Sequence, residues 1–186
     1  VQPGATVQLG LRDWQVHAAP GHDPHSVVLF EPQRRLLISA DALWERGFGV
    51  VFPELEGEQA FAEVEATLDV IEQLQPEWVL PGHGGMFSDV AGALAVARKR
   101  LADFQADPQR HAQYAAKVLL KYKLLEWQQA SCQQVQDWCA STPLMQQMRQ
   151  RYFADQDPVA WVLALLQALA AARAVVWEGD QVRNVD

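Results

Sequence analysis

The sequence predicts a mixed α+β fold on three observations. Short runs of β-type residues between glycine and proline turns recur over roughly the first 80 residues, as in Leu36-Leu37-Ile38. From about Ser88 onwards, apolar residues recur every three or four positions, which is typical of amphipathic helices. Near the end of the chain, alternation returns around Gly179-Asp180 and indicates a closing β-hairpin. Strands and helices are largely segregated along the chain, as in the α+β class.

The composition is that of an ordinary globular protein. The chain has 186 residues, of which 49% are hydrophobic and 20% charged. No run approaches the roughly 20 apolar residues that span a bilayer, and no basic segment followed by an apolar core opens the chain. Cys132 and Cys139 lie two helical turns apart, about 10 Å, which is too far for a disulfide. We therefore expect reduced thiols, a cytoplasmic location and no membrane association.

The charge is unevenly distributed. Residues 1–95 contain 4 basic and 14 acidic side chains, whereas residues 96–186 contain 11 and 9. This shift predicts a domain boundary near Ala95, with one domain over 1–95 and a second over 96–186. Because contact with phosphate backbones relies on lysine and arginine, and neither part is strongly basic, nucleic-acid binding is not expected.

The first domain begins with short strands. Residues 5–18 read as two strands around Gly10, in which Trp14 and Val16 share one face. His17 falls on the opposite face, so we interpret it as a structural or solvated residue. Residues 27–30 and 36–38 form a second hairpin across a proline-containing turn.

A loop, a helix and a further strand follow. Residues 42–57 combine glycine and proline with aromatic residues, which predicts an apolar loop without regular structure. This loop is either one wall of a substrate pocket or a cover over the core. Residues 58–75 form an amphipathic helix that Pro76 ends, and residues 78–80 return as a strand. The helix presents one apolar face made of Phe61, Val64, Leu68 and Ile71.

Helix signals continue through the second domain. Ser88 is the predicted N-cap of a helix whose stripe is Val90, Leu94, Ala97, Leu101 and Phe104. Four further helices are predicted from Asp107-Pro108, from a capping box of Ser131 with Gln134, from Thr142-Pro143 and from Asp157-Pro158. The face of the last helix is predicted as Val159, Val162, Leu166 and Leu169. The hairpin of residues 175–177 and 182–185 then closes a domain that resembles a winged-helix module.

Three potential metal ligands each follow an apolar run directly. They are His22 in Pro-Gly-His, Asp41 after residues 36–38, and His83 in a second Pro-Gly-His. Imidazole nitrogen and carboxylate oxygen suit zinc, manganese or iron, and the glycines and prolines allow sharp turns at strand ends. One such histidine alone is more often a turn residue, but the ordered set of three predicts a catalytic metal site. His25 either supports the substrate or is a turn residue.

The order of these motifs resembles the metallo-β-lactamase superfamily. The later half of that domain carries a Gly-His turn and a strand, an apolar strand ending in Gly-Asp or Ala-Asp, a helix, a strand and Pro-Gly-His-Gly. Here the corresponding stretches are Gly21-His22, residues 36–41, residues 58–75 and residues 78–84. The resemblance implies that His22 completes a first metal site, that Asp41 bridges two metals and that His83 completes the second.

The earlier motif of that superfamily, His-x-His-x-Asp-His, is absent. The five histidines stand at positions 17, 22, 25, 83 and 111, and none of them forms that pattern. The chain therefore resembles the second half of an αββα sandwich followed by a mostly helical, winged-helix-like extension, which some members of the superfamily carry. We expect a shortened form that binds metal weakly or not at all and has little activity alone.

The resemblance implies a metal-dependent hydrolase as the parent protein. Metal-activated water would attack an ester, thioester, phosphoester or amide of a small-molecule substrate. One or two zinc ions are expected in the intact domain, with manganese or iron as alternatives. The competing interpretation is a non-catalytic module, because half of a two-sheet sandwich leaves an apolar face uncovered. That face would bind a second copy of the chain or the missing N-terminal half.

Overall fold

A computed structural model describes residues 1–185, which form two compact units. The first unit is Val1–Ala106 and the second begins at Asp107. The unbroken helix Val90–Ala106 thus belongs to the first unit and runs across the boundary that the charge distribution predicted near Ala95. Its buried stripe explains this difference, because apolar packing decides which unit a helix joins, whereas charge composition reports mainly on exposed side chains.

The first unit contains five strands and three helices. In chain order these are β1 (Thr6–Leu9), β2 (Arg12–Ala18), β3 (Val27–Glu31), β4 (Leu36–Ala40), α1 (Phe52–Glu56), α2 (Phe61–Leu74), β5 (Trp78–Pro81) and α3 (Val90–Ala106). The strands form one sheet in the order β1-β2-β3-β4-β5. Neighbours are antiparallel except β4 and β5, which are parallel and are connected through α1 and α2. The two predicted hairpins and the helical crossover are confirmed.

The two faces of this sheet differ in burial. One face buries Val28, Phe30, Leu37 and Val79. On the other face, Leu29, Ile38 and Leu80 lie side by side across β3, β4 and β5 and are only half-buried. Helices α2 and α3 pack together, and their apolar stripes supply much of the remaining core of this unit.

The loop predicted over residues 42–57 contains a short helix, α1, so the expectation of irregular structure throughout is wrong. Pro53 lies in the first turn of this helix, where its missing N–H costs nothing. Gly57 ends the helix in the left-handed region at φ 102°. Glycine and proline therefore delimit a helix here.

Two helix starts differ from prediction. Helix α2 begins at Phe61, because the carboxylate of Glu54 accepts hydrogen bonds from the backbone N–H groups of Ala60 (2.9 Å) and Phe61 (3.2 Å). At the start of α3, Asp89 takes the capping role predicted for Ser88, and its Oδ1 accepts from Gly92 N at 3.0 Å. The predicted apolar stripes of both helices are buried, as expected.

Over residues 107–185, the second unit contains four helices and three strands. These are α4 (Pro108–Trp127), β6 (Gln129–Ser131), α5 (Cys132–Ser141), α6 (Pro143–Tyr152), α7 (Pro158–Ala171), β7 (Val175–Glu178) and β8 (Gln181–Asn184). The four helices and the closing hairpin are confirmed, and β6 adds an unpredicted third strand in the order β6-β8-β7. On α7, Val159 is 46% exposed, and Trp161 is buried in place of that predicted face residue.

The predicted caps of the second unit are confirmed at three of four positions. Asp107 and Asp157 each accept a backbone hydrogen bond at the start of a helix, and Ser131 with Gln134 forms the capping box. Thr142 instead donates its hydroxyl hydrogen to Trp138 O at 2.7 Å, which closes the end of α5.

A half-buried ammonium group connects α4 to the closing hairpin. Lys121 Nζ donates to Ala174 O at 3.0 Å, to Val185 O at 2.7 Å and to Asn184 Oδ1. The three hydrogens of the ammonium group therefore meet three oxygen acceptors. Both cysteines are free thiols, and burial raises the pKa of Cys139 to about 12. Over residues 1–185, no helix is both long and apolar enough to cross a membrane.

Candidate metal centre

The sheet topology brings the three predicted ligands to one edge. His22 lies in the connection from β2 to β3, Asp41 directly follows β4, and His83 follows β5. Because β4 and β5 are parallel and β3 runs against them, all three positions lie at the same end of the sheet. Distant parts of the sequence therefore meet at one point.

Asp41 stands between the two histidines. Its Oδ2 lies 3.5 Å from His22 Nε2, and its Oδ1 lies 3.6 Å from His83 Nε2. The side chains of His22 and Asp41 are 27% and 29% exposed, whereas that of His83 is 55% exposed. The group is therefore open to solvent on the His83 side.

A backbone carbonyl fixes the tautomer of His22. The Nδ1 atom lies 2.6 Å from Val50 O, and because a carbonyl oxygen only accepts, Nδ1 must carry the hydrogen. In the neutral ring, Nε2 then presents a lone pair towards Asp41 Oδ2, which is also an acceptor. Two acceptors that face each other cannot hydrogen-bond directly, so the pair gains from a group between them that both can bind, such as a metal ion.

The backbone around Asp41 is closely packed. Ala40 has φ 47°, a left-handed conformation that costs energy for a residue with a Cβ atom. A Cβ atom added at Gly49 would lie 2.7 Å from His22 Nδ1, and one added at Gly82 would lie 2.9 Å from Asp41 Oδ1. Glycine at both positions lets neighbouring backbone approach the site.

Residues 42–51, here called the 42–51 loop, contribute both to the core and to the site. Phe48 is buried and packs edge-on against Phe104 at 6.2 Å between ring centroids. Trp44 lies edge-on to His83 at 5.1 Å, and its indole N–H donates to Asp41 Oδ1 at 3.1 Å. Just after the loop, the ring of Phe52 lies edge-on to the His22 ring, with 5.4 Å between the ring centroids. The alternative of a cover over the core is therefore confirmed for Phe48, and the alternative of a substrate-pocket wall stays a prediction.

The other histidines lie elsewhere. His25 is exposed in the turn, where its backbone N–H donates to Asp23 Oδ1 at 2.8 Å. His17 is half-buried on β2, its Nε2 has no hydrogen-bond partner in the described structure, and burial lowers its pKa. His111 is buried in α4 of the second unit. These three histidines are therefore separate from the group around Asp41.

The donor types at this site fit a divalent metal ion, but only as part of a complete centre. Two donors bound to one tetrahedral zinc at about 2.0–2.1 Å lie about 3.3 Å apart, close to the observed separations from Asp41 to each histidine. Among residues 1–185, however, no group of three or more histidine, cysteine, aspartate or glutamate side chains could hold one metal ion. Instead, the Asp41 carboxylate pairs with His22 through one oxygen and with His83 through the other.

The hollow beside the site is small. It is lined by Pro20, His22, Asp41, Phe48 and Thr67, among others, and has a volume of about 10 Å³. A larger cavity of about 450 Å³ lies in the second unit between α5, α6 and α7, and its lining includes Arg149 and Trp161. None of the predicted ligands lines the larger cavity.

Three contributors to the site were not predicted. Val50 acts through its carbonyl oxygen, which every residue has, so no side-chain type marks it. Trp44 was seen only as part of an aromatic loop, although its spacing of three residues from Asp41 suggests that the two lie close together. Arg100 anchors the 42–51 loop by donating to Arg46 O (3.4 Å) and Phe48 O (3.3 Å), contacts that a position far along the chain does not reveal.

Comparison with known proteins agrees with this architecture. Residues 1–83 match the family model of the metallo-beta-lactamase superfamily. The chain is similar to a beta-lactamase domain protein from Burkholderia ambifaria, with 24% identity and a TM-score of 0.50, over 100% of this chain and 52% of that one. The metallo-beta-lactamase family protein TTHA1429 from Thermus thermophilus gives 20% identity and a TM-score of 0.47, over 100% and 54%.

A third structure, TTHA1623 in a di-iron-bound form, has 26% identity and a TM-score of 0.42, over 52% of this chain and 46% of that one. The chain spans about half the length of the first two structures. The α+β fold agrees with that of the Burkholderia ambifaria protein. The segment that matches the family model contains all three predicted ligands, and the predicted resemblance is confirmed for this segment. Over residues 1–83, within its first unit, the chain is similar to the metallo-beta-lactamase superfamily.

Proposed function

We propose that this chain supplies part of a metal-dependent hydrolase, in which His22, Asp41 and His83 are metal ligands. The observation that carries the proposal is the position of the Asp41 carboxylate between two imidazole Nε2 atoms, at 3.5 and 3.6 Å. The bond from His22 Nδ1 to Val50 O supports it, since ligating histidines usually donate their second ring nitrogen to such an acceptor.

Each residue has a separate role in the proposal. Asp41 would bridge two metal positions, because its two oxygens face different histidines. His22 would complete one position and His83 the other. Imidazole and carboxylate donors favour zinc, with manganese or iron as alternatives. Such an ion, when bound, lowers the pKa of a bound water to about 7 and polarises a carbonyl or phosphoryl oxygen of the substrate.

Further donors are required for a working centre. If Asp41 is shared, this chain provides two ligands per metal position, whereas a catalytic zinc usually has about three protein ligands. The chain spans about half the length of similar solved structures, so we assign the missing donors to residues outside this chain. The chain alone should therefore bind metal weakly and hydrolyse little.

The open side of the site suggests where a substrate enters. His83 is 55% exposed, whereas His22 and Asp41 are more enclosed, so a small molecule would approach past His83. The candidate substrates are esters, thioesters, phosphoesters and amides, which share an oxygen that a metal can polarise. The half-buried rings of Trp44 and Phe52 flank the two histidines and provide apolar contact for such a molecule.

The test is zinc binding by the purified chain, measured by competition with a chromophoric chelator. We expect weak binding that Asp41→Ala abolishes, because this substitution removes the donor shared by both positions. Replacing His22 or His83 with alanine should remove one position each. His25→Ala is the matched control, since His25 is exposed in the same turn as His22.

Two results would contradict the proposal. One is zinc binding that Asp41→Ala leaves unchanged while His25→Ala reduces it. The other is the absence of binding to the wild-type chain even at millimolar zinc, because two acceptors facing each other should gain from any divalent cation.

A second candidate function is a partner-binding module, which the half-buried row of Leu29, Ile38 and Leu80 favours. These side chains form an apolar strip across three neighbouring strands. Such a strip is suited to contact with a second copy of the chain or with the rest of a two-sheet domain.

Sedimentation equilibrium of the wild-type chain and of a Leu29→Thr, Ile38→Thr double variant tests this second candidate. A wild-type dimer that the variant converts to a monomer is the expected result. A matched double variant at the exposed residues Leu9 and Leu11, on the β1–β2 turn, should leave the mass unchanged. A wild-type monomer, or a dimer that only the Leu9 and Leu11 variant disrupts, would argue against it.

For the second unit we propose a structural or partner-binding role of a winged-helix-like module. Its helices are combined with a small antiparallel sheet, in which β6 follows α4 and the hairpin of β7 and β8 follows α7, and this supports that resemblance. Two of its lysines are already engaged, Lys121 with oxygen acceptors and Lys123 with Glu126, which disfavours a role in nucleic-acid binding. The free thiols of Cys132 and Cys139 support a reducing, cytoplasmic setting.

A further inference from the structure

Trp44 touches two of the three proposed ligands. Its indole N–H donates to Asp41 Oδ1 at 3.1 Å, and its ring lies edge-on to the His83 ring, with centroids 5.1 Å apart at 80°. One side chain thus contacts both the central carboxylate and the more exposed histidine. This makes Trp44 the link between two residues that the chain brings together from different strands.

The position of Trp44 is itself fixed. Its backbone N–H donates to Gly47 O at 2.7 Å, which closes a tight turn. Gly47 has φ 113°, and a Cβ atom there would lie 2.5 Å from Arg100 Nη1. Arg100 Nη1 donates to the carbonyls on either side of Gly47, those of Arg46 and Phe48. Helix α3 therefore anchors the turn that carries the indole.

The indole N–H restricts the terminal side-chain torsion of Asp41, which sets the direction of its two carboxylate oxygens. The carboxylate of an aspartate rotates through a broad range about its terminal torsion. With Oδ1 held by the indole, Oδ2 is directed towards His22, and the second lone pair of Oδ1 remains available on the His83 side. The carboxylate plane is therefore set before any cation arrives, which reduces the ordering cost of binding.

Core packing does not account for this contact. Leu43, the preceding residue, is fully buried, whereas Trp44 is half-buried at the site. Elsewhere in residues 1–185, the buried indole N–H groups of Trp14 and Trp161 have no acceptor. A tryptophan in this chain therefore does not need an acceptor in order to pack, and the pairing of Trp44 with Asp41 is a specific feature.

We infer that Trp44 is a positioning residue that fixes the carboxylate of Asp41 and the ring of His83 for cation binding. This inference rests on the proposed metal centre. Trp44→Phe keeps an aromatic ring against His83 and removes only the N–H donor, so it isolates the hydrogen bond. Trp78→Phe is the matched control, since Trp78 is 41% exposed on β5.

The experiment combines two measurements on the whole chain. In ¹H–¹⁵N spectra, the indole resonance of Trp44 is assigned by its absence in Trp44→Phe, and that of Trp78 by its absence in Trp78→Phe. We expect Asp41→Ala to move the Trp44 resonance upfield, as a lost hydrogen bond to a carboxylate requires, and to leave Trp78 in place. Zinc affinity, measured by chelator competition, should fall about tenfold or more in Trp44→Phe and stay unchanged in Trp78→Phe.

The outcomes separate this inference from the proposed function. A Trp44 resonance that Asp41→Ala does not move would overturn the inference, as would equal zinc affinity in wild type and Trp44→Phe. If the wild-type chain binds no zinc but the resonance moves, the metal centre is rejected and Trp44 stands as the anchor of Asp41. A tenfold loss confined to Trp44→Phe, together with the resonance shift, supports both.

Discussion

Two polar clusters, one in each unit, differ in whether their hydrogen-bonding groups match. Around Lys121, an ammonium group with three hydrogens meets oxygens of Ala174, Asn184 and Val185. Around Asp41, a carboxylate oxygen faces His22 Nε2, which is also an acceptor once Nδ1 has donated to Val50. A cluster that satisfies itself stabilises the fold, whereas an incomplete one has room for a cation. The two clusters are therefore distinguished by whether each donor meets an acceptor, and not by how polar they are.

The largest effect is expected from breaking the complete cluster. Lys121→Met retains much of the length of the side chain and removes the donor that three oxygen acceptors share, one of them on the buried Asn184. Unfolding should become easier by about 3 kcal/mol, measured by urea denaturation. Lys117→Met, one turn earlier on the same helix, should change the free energy of unfolding by less than about 0.5 kcal/mol. Equal losses in the two variants would remove the distinction between the clusters.

A smaller effect is expected from crowding the incomplete cluster. Gly49→Ala places a Cβ atom 2.7 Å from His22 Nδ1 and 3.0 Å from Asp41 Cβ, so both side chains must shift. We expect a loss of about 2 kcal/mol in the free energy of unfolding. In Gly85→Ala the added atom has no neighbour within 4 Å, and stability should be unchanged or slightly higher. Stability equal to wild type in both variants would show that the site tolerates displacement.

A gain in stability is expected from a substitution that gives the cluster around Asp41 the hydrogen-bond donor it lacks. In Asp41→Asn, the amide N–H can donate to His22 Nε2 while the amide oxygen still accepts from Trp44. Without metal, the free energy of unfolding should rise by about 0.5–1 kcal/mol, and zinc binding should be lost. Asp13→Asn, on the exposed side of β2, is the control and should change neither quantity. A destabilised Asp41→Asn would contradict this account of the cluster.

A further effect concerns the buried Cys139 of the second unit and depends on pH. Burial raises the pKa of Cys139 from 9.0 to about 12, so the folded thiol keeps its proton where the unfolded thiol loses it. Stability should be unaffected below pH 9 and should fall as the pH rises through the window from about 9 to 12. Urea denaturation at about pH 8 and about pH 10 checks this. Cys139→Ala should reduce the difference in the free energy of unfolding between the two pH values, whereas Cys132→Ala should leave that difference unchanged.

Much of the fold could be predicted because its signals are local. Alternation marked the strands, and the three- and four-residue spacing of Val64, Leu68 and Ile71 marked α2. Capping residues gave helix starts in the second unit to within a residue. Strand β6 was missed because Gln129–Ser131 has no alternation of its own and becomes a strand only by pairing with β8.

The candidate site was predicted in part for the same reason. Imidazole and carboxylate groups at strand ends are visible in the sequence, so the positions of the three proposed ligands could be named. The support around them could not be. Val50 acts through its backbone, Trp44 through an indole whose direction depends on the turn at Gly47, and Arg100 from a helix far along the chain. These contacts depend on tertiary packing.

The parallel pairing of β4 and β5 also sets the order in which the site is completed during synthesis. The antiparallel strands β2, β3 and β4 are neighbours in sequence, so His22 and Asp41 can meet as soon as that meander has left the ribosome. His83 joins only after the whole crossover through α1 and α2 has been made and β5 has paired with β4. The exposed His83 is therefore the last of the three residues to be synthesised and to join the others.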